Sequence, residues 1–210
     1  EAAAVVNTSI VWESRGARSL FAGLGVSGLA NVDITPEFAA RLAMAFGTTL
    51  KKDATVVTSR DSSRSARMLK RAMMAGLNSA GVNVSDLEVA SIPVTRFQAG
   101  RPDNRGGITL RLVPPDPQQV EIRFFTPTGA DLDDDGRRKV ERYFTRQDFR
   151  RVLPSEIGDI DFPPRALEHY AVALEACIDV KAVRAAEFKV VIDYGYGTTA
   201  FVMPNLLSKL

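Results

Sequence analysis

One cysteine, Cys177, stands among 210 residues, so no internal disulfide can form and stability must come from a buried core. The chain is long enough to build one, either as a single generous domain or as one complete domain with part of another. A reducing compartment, the cytoplasm, is the matching expectation, with Cys177 read as a small buried apolar residue in a helix. Histidine is equally scarce. His169, the only one, has no Cys or His at ligand spacing, which argues against a zinc-type centre. Long hydrophobic runs are missing as well: charges or glycines interrupt each apolar stretch far short of the roughly 20 residues a membrane span needs. No basic segment precedes the apolar run in EAAAVVNTSIVWES, so it does not read as a secretory signal, and its alternation reads as a strand. Twenty-seven basic and 25 acidic residues are interspersed, with no clustering of Lys and Arg among aromatics, so neither nucleic acid nor a membrane is an expected partner.

What is present alternates strands with helices. The glycine-rich segment RGARSLFAGLGVSGLANVDI has no clear period and reads as a long loop. Thr35-Pro36-Glu37 opens a helix with Phe38, Leu42, Phe46 and Leu50 on one face. A short strand follows at Ala54 to Ser59, then a helix from about Ser65 to Ala80, stopped by Gly81, whose small residues point to close packing on a sheet. Next come a strand at Val82 to Val89, a short helix after Pro93, and strands at Ile108 to Val113 and Val120 to Phe125. Such an order predicts an α/β fold of three α/β/α layers, with a mostly parallel mixed sheet and an antiparallel strand at one edge.

The acidic ADLDDDG run precedes a helix, GRRKVERYFTRQDF, and so reads as charge placed at a helix N-terminus. Asp131, Asp133, Asp135 and Gly136 also begin a calcium-loop pattern, but its twelfth position is Arg142 where a bidentate Glu is required. Residues 153–164, rich in proline and acid, read as a linker between a domain at 1–152 and a second unit at 165–210. That unit offers helices around Arg165 to Ile178 and Val180 to Ala186, one strand, KVVID from Lys189, a glycine turn and a closing helix. One strand makes no sheet, so the second unit is expected to be partial and its strand to find a partner by docking or in a homodimer.

Five segments in order resemble the α-D-phosphohexomutase family of phosphoglucomutases and phosphomannomutases: SRG at Ser14 to Gly16, DITPEFAARLAMAFG from Asp33, VVTSRDSSRSA from Val56, GGITLRLVPPDPQQVEIRFF from Gly106, and KVVIDYGYGTT from Lys189. The resemblance implies the family's first domain and the opening of its second. It also implies a reaction that moves a phosphoryl group between O1 and O6 of a hexose through a phosphoserine in a TASHNP-like loop. Counted from Gly106 and Gly107, that serine falls on Val113, its histidine neighbour on Pro114 and its asparagine on Pro115. Valine cannot accept a phosphoryl group and proline offers no N–H donor, so no catalytic residue is assigned and the chain alone is expected to be inactive. The family's Mg²⁺ loop, of the DGDGDR kind, would lie beyond residue 210, so no cofactor is expected in this chain.

Arg15 matches the arginine of the family's RG motif and Arg123 the lysine of its NGIK motif, which makes these two the candidate sugar-phosphate contacts, with weak binding at best. The alternative is that both are solvated surface arginines. In SRDSSRS, Asp61 is expected to order the turn and Ser62 or Ser63 to cap the helix; if the chain were an active mutase, the nucleophile would have to be Ser62, Ser63 or Thr95. Gly195-Tyr196-Gly197 is too short for a dinucleotide fingerprint. Finally, AAAVVNTSIVW resembles the last rung of the hexapeptide β-helix in sugar-1-phosphate nucleotidyltransferases such as mannose-1-phosphate guanylyltransferase. That resemblance implies a mutase-like module linked to, or associated with, such an enzyme, serving assembly or sugar-phosphate sensing. A pure assembly domain without ligand is the remaining alternative.

Overall fold

A computed structural model describes residues 19–114, 116–195 and 197–210. The opening strand, the SRG segment with Arg15, and the rung-like N-terminus lie outside the described residues.

Among the described residues, six strands form one mixed sheet in the order β1-β5-β4-β2-β3-β6. They are β1 (Gly25–Leu29), β2 (Thr55–Arg60), β3 (Asn83–Val89), β4 (Gly107–Val113), β5 (Asp116–Phe125) and β6 (Ile160–Asp161). β4, β2, β3 and β6 pair in parallel, whereas β5 runs antiparallel to both β4 and β1. The reversed strand is therefore internal, one place in from the edge expected for it. Strand β1 occupies that edge and corrects the reading of its segment as a loop. Its entry depends on a bare backbone: a Cβ on Gly25 would stand 2.4 Å from the Ile122 carbonyl oxygen across the pair.

Helices α1 (Pro36–Thr49), α2 (Arg64–Ser79) and α4 (Asp134–Arg146) cover one face. Thr35 caps α1 by accepting from the Phe38 N–H, Ser63 caps α2 by accepting from Ala66, and Asp133 caps α4 by accepting from Gly136. Their inner sides carry Phe38, Leu42, Phe46, Leu69, Met73 and Leu77, all nearly or fully buried against Ile108, Leu110, Ile122 and Phe124 of the sheet. At about 25 cal/mol per Å², burial of this kind supplies most of the driving force for the fold. The small side of α2 faces α1 as well as the sheet: a Cβ on Gly76 would come within 2.3 Å of the Ala40 carbonyl oxygen. That stripe serves helix-on-helix contact, which the expectation of packing on a sheet left out.

Arg150, just after α4, ties these helices together from behind. Its Nε donates to Ala80 O (2.7 Å), Nη1 to Leu50 O (2.7 Å) and Nη2 to Gly47 O (3.0 Å), while its N–H donates to Thr48 Oγ1 at 3.0 Å. Neither α1 nor α2 has a basic residue in its own last turn, so this one guanidinium supplies the positive charge at both C-termini.

The other face carries α3 (Ile92–Ala99), against which α5 (Ala166–Glu175) packs; α6 (Val180–Ala185) and α7 (Met203–Leu207) follow along the chain. Between α3 and the sheet, Ser59 bonds to Thr95 (2.7 Å) and donates to Thr109 (2.8 Å), a fully internal polar triad. Residues 165–210 dock on α3 through Leu167, Tyr170, Ala171 and Val202, with Phe97 and Tyr170 edge to face at 5.6 Å. The segment read as a linker is partly structural, because Ile160 and Asp161 pair with Val84 and Ser85. The KVVID segment, in contrast, pairs with no strand among the described residues, and Val191 is fully exposed. Cys177 is exposed beyond the end of α5, correcting its reading as buried.

Candidate functional site

The turn after β4 holds Val113, the residue onto which the resemblance carries the family's serine. Residue 113 ends β4, and the hairpin closes at once: Val113 pairs with Asp116, after an irregularity between Leu112 and Val113. The returning strand starts at Asp116, four residues before the expected Val120, which leaves a two-residue connection where a broader loop was implied. Asp116 fastens the return, its Oδ1 accepting from the Gln118 N–H (2.9 Å) and its Oδ2 from Gln119 Nε2 (3.0 Å).

Asp61 braces the other side of the turn. Its Oδ2 accepts from the Leu112 N–H at 2.7 Å, its Oδ1 from the Ser63 N–H at 2.9 Å, and its own N–H donates to Leu110 O. One carboxylate thus joins the end of β4 to the start of α2, as its turn-ordering role requires. Of the two serines offered as caps, Ser63 takes the role and Ser62 stays exposed. Thr95 is fully buried in the triad with Ser59, away from solvent and from the turn.

Arg123 lies on the polar side of β5, neither free nor solvated. Its Nε donates to Glu121 Oε2 at 2.9 Å, and Arg111 Nε donates to the same oxygen at 2.9 Å. The Arg123 side chain is only 16% exposed. Glu121, directly across from Arg111 in the β4–β5 register, thus holds two guanidiniums and leaves a net single positive charge on this patch. Whether Arg15 meets Arg123 lies outside the described residues. Sequence reasoning missed Arg111; the signal available was the period-two polar pattern of Arg111, Glu121 and Arg123 within otherwise apolar strands.

A second charge cluster was also missed, at the C-terminal ends of β2 and β3. Lys70 of α2 pairs with both carboxylate oxygens of Asp86, each side chain almost wholly buried. Asp86 also accepts from Thr58 Oγ1 (3.1 Å) and the Glu88 N–H (2.9 Å), and Arg60 donates to Glu88 at 3.0 Å. Burial pushes the Glu88 carboxyl upward, but the Lys70 charge and the Arg60 hydrogen bond outweigh it and hold the group below its ordinary value. Two cations and two anions close on one another, and Glu88 sits at φ +57° in the accompanying bulge.

The three acidic positions of the calcium-like pattern diverge. Asp131 pairs with Arg96, Asp133 caps α4, and Asp135 pairs with Arg138. A cleft of about 520 Å³ opens at the opposite ends of the strands, lined by Thr55, Asn83, Gln98, Asp103, Asp159 and His169.

Residues 18–151 match the family model described as phosphoglucomutase/phosphomannomutase, alpha/beta/alpha domain I. A phosphoglucomutase/phosphomannomutase of Thermococcus kodakarensis is 34% identical over 195 residues, covering 91% of this chain and 42% of that protein. A phosphoglucosamine mutase of Natranaerobius thermophilus is 31% identical over 194 residues, covering 91% of this chain and 43% of that protein. The chain therefore spans less than half the length of these relatives. Among solved structures, a phosphoglucomutase/phosphomannomutase family protein of Burkholderia thailandensis superposes with a TM-score of 0.73 at 18% identity, covering 92% of this chain and 42% of that one. The domain match, running from before β1 through Arg150, spans the sheet-and-helix unit in which the Val113 turn is set, and the chain belongs to the α-D-phosphohexomutase family.

Proposed function

We propose that this chain is a mutase-like module without phosphoryl-transfer chemistry of its own, acting in assembly or weak sugar-phosphate sensing within a protein of hexose-phosphate or sugar-nucleotide metabolism. One feature supports the reading most: the count from Gly106 and Gly107 puts Val113 where the family has its serine, and Val113 is held in a strand pair with Asp116. An aliphatic side chain has no oxygen to phosphorylate, and Pro114 removes a backbone donor that would face the phosphate. The Asp116 carboxylate in the same turn disfavours an incoming anion.

The residual sugar-phosphate contact in this reading is Arg123, with Arg15. Glu121 already occupies the Arg123 Nε, so the attraction left for a phosphate corresponds to millimolar binding at most. The rung-like N-terminus supports linkage to a sugar-1-phosphate nucleotidyltransferase, checked by a nucleotidyltransferase signature in the reading frame upstream. The names of the relatives favour a second reading, an active hexose-phosphate mutase with its nucleophile elsewhere. Incubation with glucose 1,6-bisphosphate followed by intact-mass measurement separates the two: the module stays unmodified, whereas an active mutase acquires one phosphoryl group per chain.

A further inference from the structure

The cleft of about 520 Å³ opens where β2 and β3 begin, at the strand ends away from the Val113 turn, and its size suits a small organic ligand. Its wall is rich in acceptors. Gln98, near the end of α3, is 5% exposed; its Nε2 donates to Ala166 O at 2.9 Å, which leaves Oε1 to the cleft, accepting from no described residue. Asn104 repeats the arrangement: it is 8% exposed, its Nδ2 donates to Gln98 O at 2.7 Å, and its Oδ1 accepts from no described residue. A buried amide oxygen without a donor costs free energy, so two of them on one wall call for a ligand that donates.

The charges agree with the amides. Asp103, Asp159 and Asp161 line the same cleft against one guanidinium, that of Arg101, and none of the three is ion-paired with a described residue. Asp159 Oδ1 accepts only from the adjacent Ile160 N–H at 2.8 Å. The pairing of β6 with β3 fixes this acidic wall, since the Val84 N–H donates to Asp159 O at 2.8 Å and Asp161 stands beside Ser85. Among the described residues, no three His, Cys, Asp or Glu side chains converge closely enough to hold one metal ion. Carboxylates that share a cleft without converging suit separate cationic groups joined by a chain better than one compact cation.

We propose that this cleft binds a linear polyamine. Its ammonium groups meet the carboxylates, its N–H donors reach the Gln98 and Asn104 oxygens, and Pro163 and Pro164 offer an apolar strip for the methylene spacers. Because the cleft and the Val113 turn lie at opposite ends of the strands, binding here is independent of phosphoryl chemistry there.

Isothermal calorimetry of the full chain with spermidine at low ionic strength tests this. The expected result is saturable one-to-one binding with a dissociation constant of roughly 10–300 µM, and butylamine, with one ammonium group, about tenfold or more weaker. Asp103→Asn with Asp161→Asn should weaken spermidine about tenfold or more, since two charge-assisted contacts go. Asp134→Asn with Asp135→Asn removes the same charge from the exposed start of α4 and should change binding less than about twofold. Absence of saturable binding overturns the proposal. So does equal weakening by the two double variants, which marks general attraction to a cation, or butylamine binding as tightly as spermidine, or no weakening by the cleft pair. All four carboxylates are exposed, so the substitutions leave the packed core intact.

Discussion

Replacing Arg150 removes a side chain that reaches the C-terminal carbonyls of two helices from outside both. With alanine in its place, Ala80 O, Leu50 O and Gly47 O lose donors at 2.7, 2.7 and 3.0 Å together with the positive charge near both helix ends. Hydrogen bonds to a charged group are worth about 1.5–3 kcal/mol each, and a cation at a helix C-terminus about 0.3–1 kcal/mol. The three bonds share one group and water can reach part of the site, so the sum is not additive; a net loss of about 3–4 kcal/mol is the working figure. For a chain of this size that corresponds to a fall of roughly 6–16 °C in Tm. Urea and thermal denaturation followed by circular dichroism would read it. Arg150→Lys keeps the charge but lacks the planar fork, and should recover less than half of the loss. Arg150→Ala within about 1 kcal/mol of the parent, or Arg150→Lys equal to it, would refute the reasoning.

Lys70→Met leaves Asp86 buried without its cation and should cost about 3–5 kcal/mol in urea denaturation, whereas Lys70→Met with Asp86→Leu should cost much less, because no unpaired charge remains. Glu88 is held below its ordinary value of 4.5, so its contribution to stability is present above that pH and is lost as pH falls through the lower folded value. Acid titration of stability should therefore be flatter in Glu88→Gln below pH 4.5, and that variant should be less stable at neutral pH; equal slopes would contradict the assignment.

The parts of this fold written locally were legible. Thr35-Pro36 announces α1 because a hydroxyl cap and a ring-fixed φ act within one turn, and Gly81 stops α2 by adopting φ +70°. The parts that depend on distant partners were not. β1 looks like loop because its identity comes from Ile122 and its neighbours, against which Gly25 lies close, rather than from its own period. β6 is two residues long in a stretch rich in proline and acid, and exists only because β3 offers an edge. KVVID shows the reverse case: high strand propensity with no neighbouring strand among the described residues to pair with.

The candidate site divides in the same way. The placement of Val113 at the family's serine rests on the resemblance, and a turn-ordering Asp61 with Ser62 or Ser63 as cap was legible locally, whereas the choice of Ser63 comes from its bond to the Ala66 N–H. The capture of Arg123 by Glu121, shared with Arg111, follows from a cross-strand register that no local pattern displays. Arg150 is more remote still, since its acceptors lie about 70 to 103 residues away along the chain.

The central claim, that position 113 carries no phosphoryl chemistry, is tested most directly by intact-mass spectrometry after incubation with glucose 1,6-bisphosphate, run on the parent chain and on Val113→Ser. The account predicts an unmodified mass for the parent and no hexose-phosphate interconversion by either protein, because Pro114 and the Asp116-braced hairpin remain when only the hydroxyl is supplied. A stoichiometric phosphoserine on the parent chain, with turnover in a coupled assay, would contradict it.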